Sequence, residues 1–213
     1  MPEESAALIH ADALCFSRNA ERIFGPLDFS LSGGEALLLK GGNGAGKTTL
    51  LRVLAGLLPA ESGQVYIEGQ PFTQAAWVQM TAYLGHKPGH KAELTVWQNL
   101  NFSAQLRSHA NPIALQPLLD EAGLAGYDDT PAGKLSAGQN KRLSLARLVV
   151  QQCRLWLLDE PYANLDLAGI DWVNHLLQRH IADGGAALIS THGAYSAPAV
   201  PIRTLELSKQ AYV

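Results

Sequence analysis

The sequence has few cysteines, few charges and no long apolar run. Its two cysteines, Cys15 and Cys153, stand far apart among 213 residues without a Cys-X-X-Cys pattern, which predicts reduced thiols rather than a disulfide framework. Charged residues make up only 16% of the chain, the net charge is −3, and no Lys/Arg cluster occurs, so a nucleic-acid partner is not expected. No apolar run approaches the ~20 residues that span a bilayer.

The N-terminal sequence also lacks a targeting signal. Residues 1–4 read Met-Pro-Glu-Glu, without the positively charged region that begins a signal peptide. If the protein acts at a membrane, we expect other subunits to hold it there. An apolar content of 47% over 213 residues predicts one folded domain with a core of its own.

A glycine-rich loop connects a predicted strand to a predicted helix. The apolar run 36–39 precedes it, and the helix that follows carries apolar residues with helical spacing at Leu50, Val53, Leu54, Leu57 and Leu58,. The loop has the P-loop pattern and consists of Gly41, Gly42, Asn43, Gly44, Ala45, Gly46, Lys47, Thr48 and Thr49,.

This loop is suited to a nucleotide. Its backbone N–H groups and the helix N-terminus can surround a polyphosphate. Lys47 is placed to reach the β- and γ-phosphates, and the Thr48 hydroxyl to bind Mg²⁺. The sequence therefore predicts a bound nucleotide with Mg²⁺, and the P-loop alone leaves kinases, GTPases and motor proteins possible. The family resemblance described below implies ATP.

Strands and helices alternate along the remaining chain, which predicts an α/β fold. The predicted strands cover residues 8–16, 23–31, 64–67, 82–85, 155–158 and 186–189. The predicted helices include residues 95–106 and 115–122, a helix after residue 139, and one that carries Ile170, Val173, Leu176 and Leu177 on its inner face,.

Three motifs follow the P-loop in order. The motif Leu-Ser-Ala-Gly-Gln at residues 135–139 opens a helix, Asp159 and Glu160 end the apolar run 155–158, and Thr191 and His192 follow the strand 186–189. Together with the P-loop, these motifs resemble the ATP-binding cassette family over nearly the whole chain. The resemblance implies a RecA-like α/β core with an antiparallel β edge and an inserted helical subdomain.

The resemblance also implies boundaries within a single domain, 1–213. The core is expected at about 1–87 and 147–213, and the helical subdomain at about 88–146.

The resemblance assigns catalytic roles near the γ-phosphate. It implies that Asp159 contacts Mg²⁺ through water and that Glu160 orients or deprotonates the attacking water. It implies that His192 is a switch histidine that contacts the γ-phosphate. It places Asp166 in a loop that crosses between two subunits.

The motif at residues 135–139 implies a second copy of the chain. In the family, its residues close over ATP that is held by another cassette, which predicts a head-to-tail homodimer. The residues concerned are Ser136, Ala137, Gly138 and Gln139, with alanine where glycine is more common. Ser136 is also expected to cap its own helix.

Two departures from the family pattern stand out. The glutamine that opens the loop into the helical subdomain is replaced by His86. Histidine can also hydrogen-bond a Mg²⁺-bound water, and because it titrates near neutral pH we expect this switch to be pH-sensitive. The adenine-stacking aromatic is missing from residues 19–21, which leaves Phe16, Arg18 or Arg22 as substitutes and the base preference open.

A narrower resemblance concerns the ATP-binding subunits of bacterial cytochrome c maturation systems. It rests on residues 85–89 (Gly-His-Lys-Pro-Gly), residues 135–139 and residues 145–148 (Leu-Ala-Arg-Leu). It implies coupling to the membrane subunit CcmB, with CcmC and CcmD, at the cytoplasmic face of the inner membrane. The step that ATP hydrolysis drives would be haem export or release of the haem-loaded chaperone CcmE.

The helix 95–106 is the expected contact with those subunits. Val96, Leu100 and Ala104 can face inward, which leaves Trp97 or Phe102 partly exposed for a partner helix,.

Three alternatives share parts of this pattern. A cassette of another small-molecule transporter would carry the same catalytic residues. Soluble cassette proteins of DNA or ribosomes need a coiled-coil insertion or a second cassette, and we expect neither in 213 residues. A nucleotide-gated clamp without turnover is disfavoured by Glu160 and His192.

A metal or haem role for His86 and His90 is disfavoured because Pro88 breaks any shared helical face.

Overall fold

In a computed structural model of the chain, residues 7–106, 113–191 and 198–208 are described. The strands are β1 Ile9–Arg18, β2 Glu21–Leu31, β3 Ala36–Lys40, β4 Ser62–Ile67, β5 Gln70–Pro71, β6 Thr81–Leu84, β7 Leu155–Asp159, β8 Ala186–Ser190 and β9 Ile202–Glu206. The helices are α1 Lys47–Leu54, α2 Gln74–Met80, α3 Val96–Gln105, α4 Leu115–Glu121, α5 Ala137–Gln151 and α6 Leu167–Ala182.

A parallel sheet forms the centre of the fold, with strand order β6-β7-β8-β3-β9. Every residue of β7 and β8 is buried, as the unbroken apolar runs predict for strands that are covered on both faces. Along β7, Leu155 and Leu157 belong to the apolar core on the side of α1, whereas Trp156 and Leu158 belong to the core on the side of α5 and α6. Because the strands are parallel, the carboxyl ends of β3, β6, β7 and β8 meet at one edge.

A second, antiparallel sheet has the order β2-β1-β4-β5 and matches the expected β edge. β1 and β2 form a hairpin whose turn is Asn19-Ala20, with φ of 53° and 63°. Such turns follow the right-handed twist of paired strands. The two strands extend further toward the turn than the sequence predicts. Residues 17–22 are predicted as a polar connection, but Ser17 pairs with Arg22 and Arg18 with Glu21.

The helices α3, α4 and α5 pack against one another, and α5 also contacts β6. The predicted inner face of α3 is confirmed for Val96 and Leu100, which are fully buried. Trp97 and Phe102 remain 38% and 51% exposed. α5 therefore joins the helical layer to the parallel sheet.

The helices are short. The longest, α6, has 16 residues, fewer than the ~20 that cross a bilayer. In the described part of the chain no helix is long and apolar enough to span a membrane.

Three features differ from the sequence-based expectations. α1 ends at Leu54 because the chain turns at Gly56, whose φ is 67°, and Leu57 is consequently 60% exposed rather than on the buried face. α2 and β9 were not predicted. A helix of seven residues gains little from propensity alone, and α2 is held by Trp77, which is 2% exposed in the core.

Candidate functional site

The P-loop surrounds the ammonium group of Lys47. Nζ donates hydrogen bonds to the carbonyl oxygens of Gly41 at 2.6 Å and Gly42 at 3.2 Å. Gly46 has φ of 95°, and a Cβ there would lie 3.0 Å from Cγ2 of Ile23, so the loop needs glycine at this position. The loop is thus a turn of exposed backbone around a buried cation.

The N-terminus of α1 is open to an anion. Its N-cap Gly46 has no side chain to accept a hydrogen bond, and no acidic residue lies in the first turn. The unpaired N–H groups and the helix dipole leave partial positive charge beside Lys47. This arrangement fits a polyphosphate, as the P-loop pattern predicts.

Asp159, 1% exposed at the end of β7, is the centre of the site. Its Oδ1 accepts hydrogen bonds from Thr48 Oγ1 at 3.1 Å and from Ser190 Oγ at 2.7 Å. Its Oδ2 is buried without a hydrogen-bond partner among the described residues, and Nε2 of His86 lies 3.4 Å from it. The first turn of α1, the ends of β7 and β8 and the loop after β6 therefore meet at one carboxylate.

The oxygen atoms here fit Mg²⁺. A hydroxyl and a carboxylate with an unpaired buried oxygen are hard donors of the kind that Mg²⁺ prefers. Thr48 and Asp159 would hold the ion. The imidazole of His86 is a poorer direct ligand and is better suited to a hydrogen bond with a metal-bound water.

Glu160 follows directly and has an unusual backbone. Its φ is 54°, a left-handed conformation that costs a non-glycine residue on the order of 1 kcal/mol. Its amide donates to the Ser190 carbonyl at 3.1 Å, and its carbonyl accepts from Nζ of Lys141 at 2.9 Å. These two bonds hold the conformation that turns the glutamate away from the line of β7.

Lys141 is a buried lysine of α5, 9% exposed. Burial lowers the pKa of its ammonium group, while Asp159 and Glu160 act in the opposite direction. Lys141 thereby connects the helix behind residues 135–139 to the backbone of Glu160. The sequence analysis missed this residue, although it lies four positions before Leu145 and seven before Leu148, on the buried face of a helix.

Ser136 is exposed and caps α5 as predicted. Its Oγ accepts from the Gln139 amide at 3.2 Å, and the Gln139 side chain accepts from the Ser136 amide at 2.9 Å. A Cβ on Gly138 would lie 2.9 Å from the carbonyl oxygen of Asn164. The turn of α5 is therefore tightly packed on one side and open to solvent at Ser136.

Asp166 caps α6. It accepts from the Gly169 amide at 2.9 Å and from Nη2 of Arg142 at 2.6 Å, and these bonds, that from Gly169 first, lower the pKa of its carboxyl group. Nη1 of Arg142 donates to the carbonyl of Ala122 at 3.0 Å. Arg142 thus holds the loop before α6 against α5 and the end of α4.

The predicted residues divide into two groups. Lys47, Thr48, Asp159, Glu160 and His86 surround the end of β7, whereas the residues from Ser136 to Gln139 and Asp166 lie at the starts of α5 and α6. The predicted switch residue His192 lies outside the described residues. Ser190, which bonds both Asp159 and Glu160, was not assigned a role from the sequence.

Phe16 is no longer a candidate for stacking on a base. It is 8% exposed, and its ring stacks on Phe24 with a centroid distance of 6.1 Å. The aromatic ring is therefore part of the core between the two sheets. Arg18 and Arg22 stay open as predictions.

Residues 24–163 match the family described as ABC transporter. The chain belongs to the ABC transporter family. It is an ABC ATPase, and its P-loop, the motif at residues 135–139 and the Asp159-Glu160 pair all fall within the matched region.

Curated relatives are similar over almost the whole chain. "Cytochrome c biogenesis ATP-binding export protein CcmA" of Xanthomonas oryzae pv. oryzae is 54% identical over 204 residues, 96% of this chain and 94% of that protein. The protein of the same name in Xylella fastidiosa is 46% identical and covers 98% of each chain. That of Shigella flexneri is 38% identical and covers 95% of this chain and 97% of that one.

Solved structures share the fold. The structure of an ATP-binding subunit of an ABC transporter superposes with a TM-score of 0.79 at 25% identity and covers 87% of this chain and 79% of that one. An ATP-binding cassette in its ADP conformation superposes with a TM-score of 0.71 at 22% identity, covering 89% and 82%. The predicted α/β cassette fold is confirmed.

Proposed function

We propose that this ABC ATPase is the nucleotide-binding subunit of a bacterial exporter for cytochrome c maturation, and that it drives haem export or release of the haem-loaded chaperone CcmE. The observation that carries the proposal is the 54% identity over 96% of the chain with a protein named as a cytochrome c biogenesis export subunit. The loop 85–89 and the motif at residues 135–139, which suggested this subfamily from the sequence, agree with it.

ATP binds with its phosphates in the P-loop. The backbone N–H groups from Gly41 to Thr49 and the N-terminus of α1 surround the β- and γ-phosphates, and Lys47 exchanges its bonds to the Gly41 and Gly42 carbonyls for phosphate oxygens. Thr48 and Asp159 would hold Mg²⁺, which would supply positive charge beside the phosphate oxygens.

Glu160 orients and deprotonates the attacking water. Its backbone bonds to Ser190 and Lys141 hold the residue at the end of β7, the edge at which the γ-phosphate is proposed to lie. His86, 3.4 Å from Asp159, would hydrogen-bond a water on that ion and respond to the γ-phosphate through it. For His192, which follows β8 by two residues in the sequence, the proposed role is a contact with the γ-phosphate.

The complete site requires a second copy of the chain. Ser136, Ala137, Gly138 and Gln139 close over ATP in the P-loop of the partner, and Asp166 lies at the crossing between subunits. The exposure of Ser136 and its separation from the cluster at Asp159 support this head-to-tail homodimer. The uncapped N-terminus of one α1 and the N-terminus of the other α5 then face the same phosphates.

Membrane-spanning subunits supply the transport path. CcmB, with CcmC and CcmD, would hold the ATPase at the cytoplasmic face of the inner membrane, and Trp97 and Phe102 on α3 would contact a helix of these subunits. Their exposed fractions, 38% and 51%, support an apolar contact surface. Rotation of the helices α3 to α5 after hydrolysis would move that helix.

Complementation in a strain that lacks its own ATPase subunit tests the proposal. The wild-type chain should restore holo-cytochrome c, and Lys47→Ala should not, although it accumulates to the same level. Affinity purification from those membranes should recover CcmB. Recovery of a different permease, with cytochrome c still absent, would identify the cassette of another small-molecule transporter instead.

A further inference from the structure

The loop after β6, residues 85–94, contacts both halves of the candidate site. Near its start, His86 lies 3.4 Å from Asp159 at the edge of the parallel sheet. Four residues later, Nε2 of His90 lies 2.7 Å from Oδ1 of Asn140 in the first turns of α5. The proposed mechanism uses His86, but it leaves His90 without a role.

Asn140 holds the backbone that precedes its own helix. Its Nδ2 donates to the carbonyl oxygens of Leu135 at 3.0 Å and Ser136 at 3.1 Å, and its amide donates to the Ser136 carbonyl at 2.9 Å. The side chain of Asn140 therefore fixes the residue that caps α5. If the Asn140 side chain moved, the carbonyl groups of Leu135 and Ser136 would each lose a hydrogen bond.

These bonds determine the tautomer of His90. Because Nδ2 of Asn140 is used as a donor twice, Oδ1 is an acceptor, and Nε2 of His90 must carry the proton. The other ring nitrogen, Nδ1, lies 3.5 Å from the hydroxyl of Ser144, which itself donates to the Asn140 carbonyl at 2.8 Å. His90 thus donates to Asn140 through Nε2.

The surroundings hold the ring of His90 in place. Burial is the main cause that lowers its pKa, the hydrogen bond to Asn140 acts in the opposite direction, and the charge of Arg147 on α5 lowers the pKa further. Nε of Arg147 donates to Ser103 at 2.7 Å, which connects α5 to α3. The next residue, Lys91, is bound through its amide and carbonyl by the buried side chain of Asn99. The ring of His90 is therefore held at α5, and the backbone that follows it is held at α3.

We propose that His90 is a positioning residue for Ser136. It holds Asn140, and through Asn140 the cap of α5, in a set position relative to the loop that presents His86 to Asp159. A change at the γ-phosphate of one ATP would thereby reach Ser136, which serves the other ATP of the dimer. This inference rests on the proposed function, because it requires that Ser136 completes the site of a second copy.

Heterodimers of the full-length chain with two different tags test where His90 acts. One copy carries Lys47→Ala, so the remaining ATP site combines the P-loop of the other copy with Ser136 of the Lys47→Ala copy. His90→Phe, which keeps a ring and removes the donor, is then introduced on either copy. ATP affinity and hydrolysis are compared with those of the heterodimer without it.

On the Lys47→Ala copy, His90→Phe should lower ATP affinity and turnover about tenfold, as one lost buried hydrogen bond would if it acted on Ser136. On the other copy, where the Ser136 that His90 positions serves the inactivated site, the effect should stay below about twofold. Equal losses on both copies, or a loss only on the copy with the intact P-loop, would overturn the inference.

Ser136→Arg at the same two placements separates the inference from the proposed function. If Ser136→Arg shows no dependence on placement, the composite site itself is wrong. If it does and His90→Phe does not, only the role of His90 is wrong.

Three further variants exclude a general loss of folding. His90→Gln keeps a donor at a similar reach and should retain most of the activity, while His175→Phe alters an exposed histidine of α6 and should behave as the parent. Asn140→Leu should show the same dependence on placement, and His90→Phe should add little to it, because both act through one contact. Independent, multiplying losses would contradict the route through Asn140.

Discussion

The two halves of the candidate site differ in how far the chain completes them by itself. At the sheet edge, Lys47, Asp159 and Glu160 are 5%, 1% and 8% exposed. Lys47 donates to carbonyls of the P-loop, and Asp159 and Glu160 accept hydrogen bonds from other elements. At the start of α5, Ser136 is exposed and bonds only to its own helix turn among the described residues. Chemistry that requires fixed geometry lies inside one chain, whereas the group that must meet a partner is left at the surface.

The largest expected effect comes from the sheet edge. Glu160→Gln removes the base and keeps the shape, so hydrolysis should fall at least about a hundredfold while ATP still binds. Because dissociation of the dimer would wait for hydrolysis, size-exclusion chromatography in Mg-ATP should show a stable dimer.

Asp171→Asn, on an exposed acid of α6, is the matched control for Glu160→Gln. It should hydrolyse ATP at the parent rate and elute as the parent does. Turnover by Glu160→Gln at the parent rate would remove the glutamate from the mechanism.

The second effect concerns the exposed half. Lys47→Ala and Ser136→Arg should each be inactive as homodimers. Lys47→Ala loses the cation that binds the phosphates, and Ser136→Arg disrupts the surface that closes over the ATP of the partner. A heterodimer of the two variants should keep one intact site, and equilibrium dialysis should find one tightly bound ATP per dimer. Binding that follows Lys47 alone, regardless of Ser136, would mean that each chain works by itself.

A smaller effect is expected at Lys141, which lies on α5 and bonds to the backbone of Glu160, and so connects the two halves of the site. Lys141→Met keeps the length of the side chain and removes the donor to the Glu160 carbonyl, so turnover should fall about tenfold. The thermal midpoint should change little, because the burial of a charge is removed together with the hydrogen bond. An unchanged turnover number in steady-state assays would show that the bonds to Ser190 and Ala163 hold the Glu160 backbone without Lys141.

The smallest effect on the isolated chain is expected at the surface of α3. Phe102→Ala should change the free energy of unfolding by less than about 0.5 kcal/mol, whereas Leu100→Ala, fully buried on the same helix, should lower it by about 2–5 kcal/mol. Urea titrations measure both.

Flotation of membranes tests whether that surface contacts a partner. With the membrane subunits present, Phe102→Ala and Trp97→Ala should reduce the fraction of the ATPase that floats, and both should spare ATP binding. Equal flotation of the wild-type chain without those subunits would contradict a protein partner at α3.

Motifs with a strict spacing were read correctly from the sequence because their backbone requirements are local. The glycines of the P-loop, the capping box from Ser136 to Gln139 and the buried run 155–158 each contain the information for their own conformation,. The family and the α/β cassette fold followed from their order and are confirmed. The boundaries of the subdomain and the catalytic roles stay predictions.

Elements without a local pattern depended on contacts between distant segments. The length of α1 was overestimated because Leu57 continues the helical spacing past a turn at Gly56. α2 and β9 are too short to produce a recognisable sequence pattern. α2 forms because Trp77 packs into the core, and β9 forms because it pairs with β3.

The sequence by itself determined which residue types meet a nucleotide, since phosphate and Mg²⁺ demand particular groups on particular turns. Only the tertiary structure decided how these residues support one another. The bond of Lys141 to Glu160, the two hydroxyls on Asp159 and the contact of His90 with Asn140 join residues 19 to 111 positions apart. The physical reason is that a hydrogen bond between distant segments leaves no periodicity in the chain and exists only after packing has brought its two atoms together.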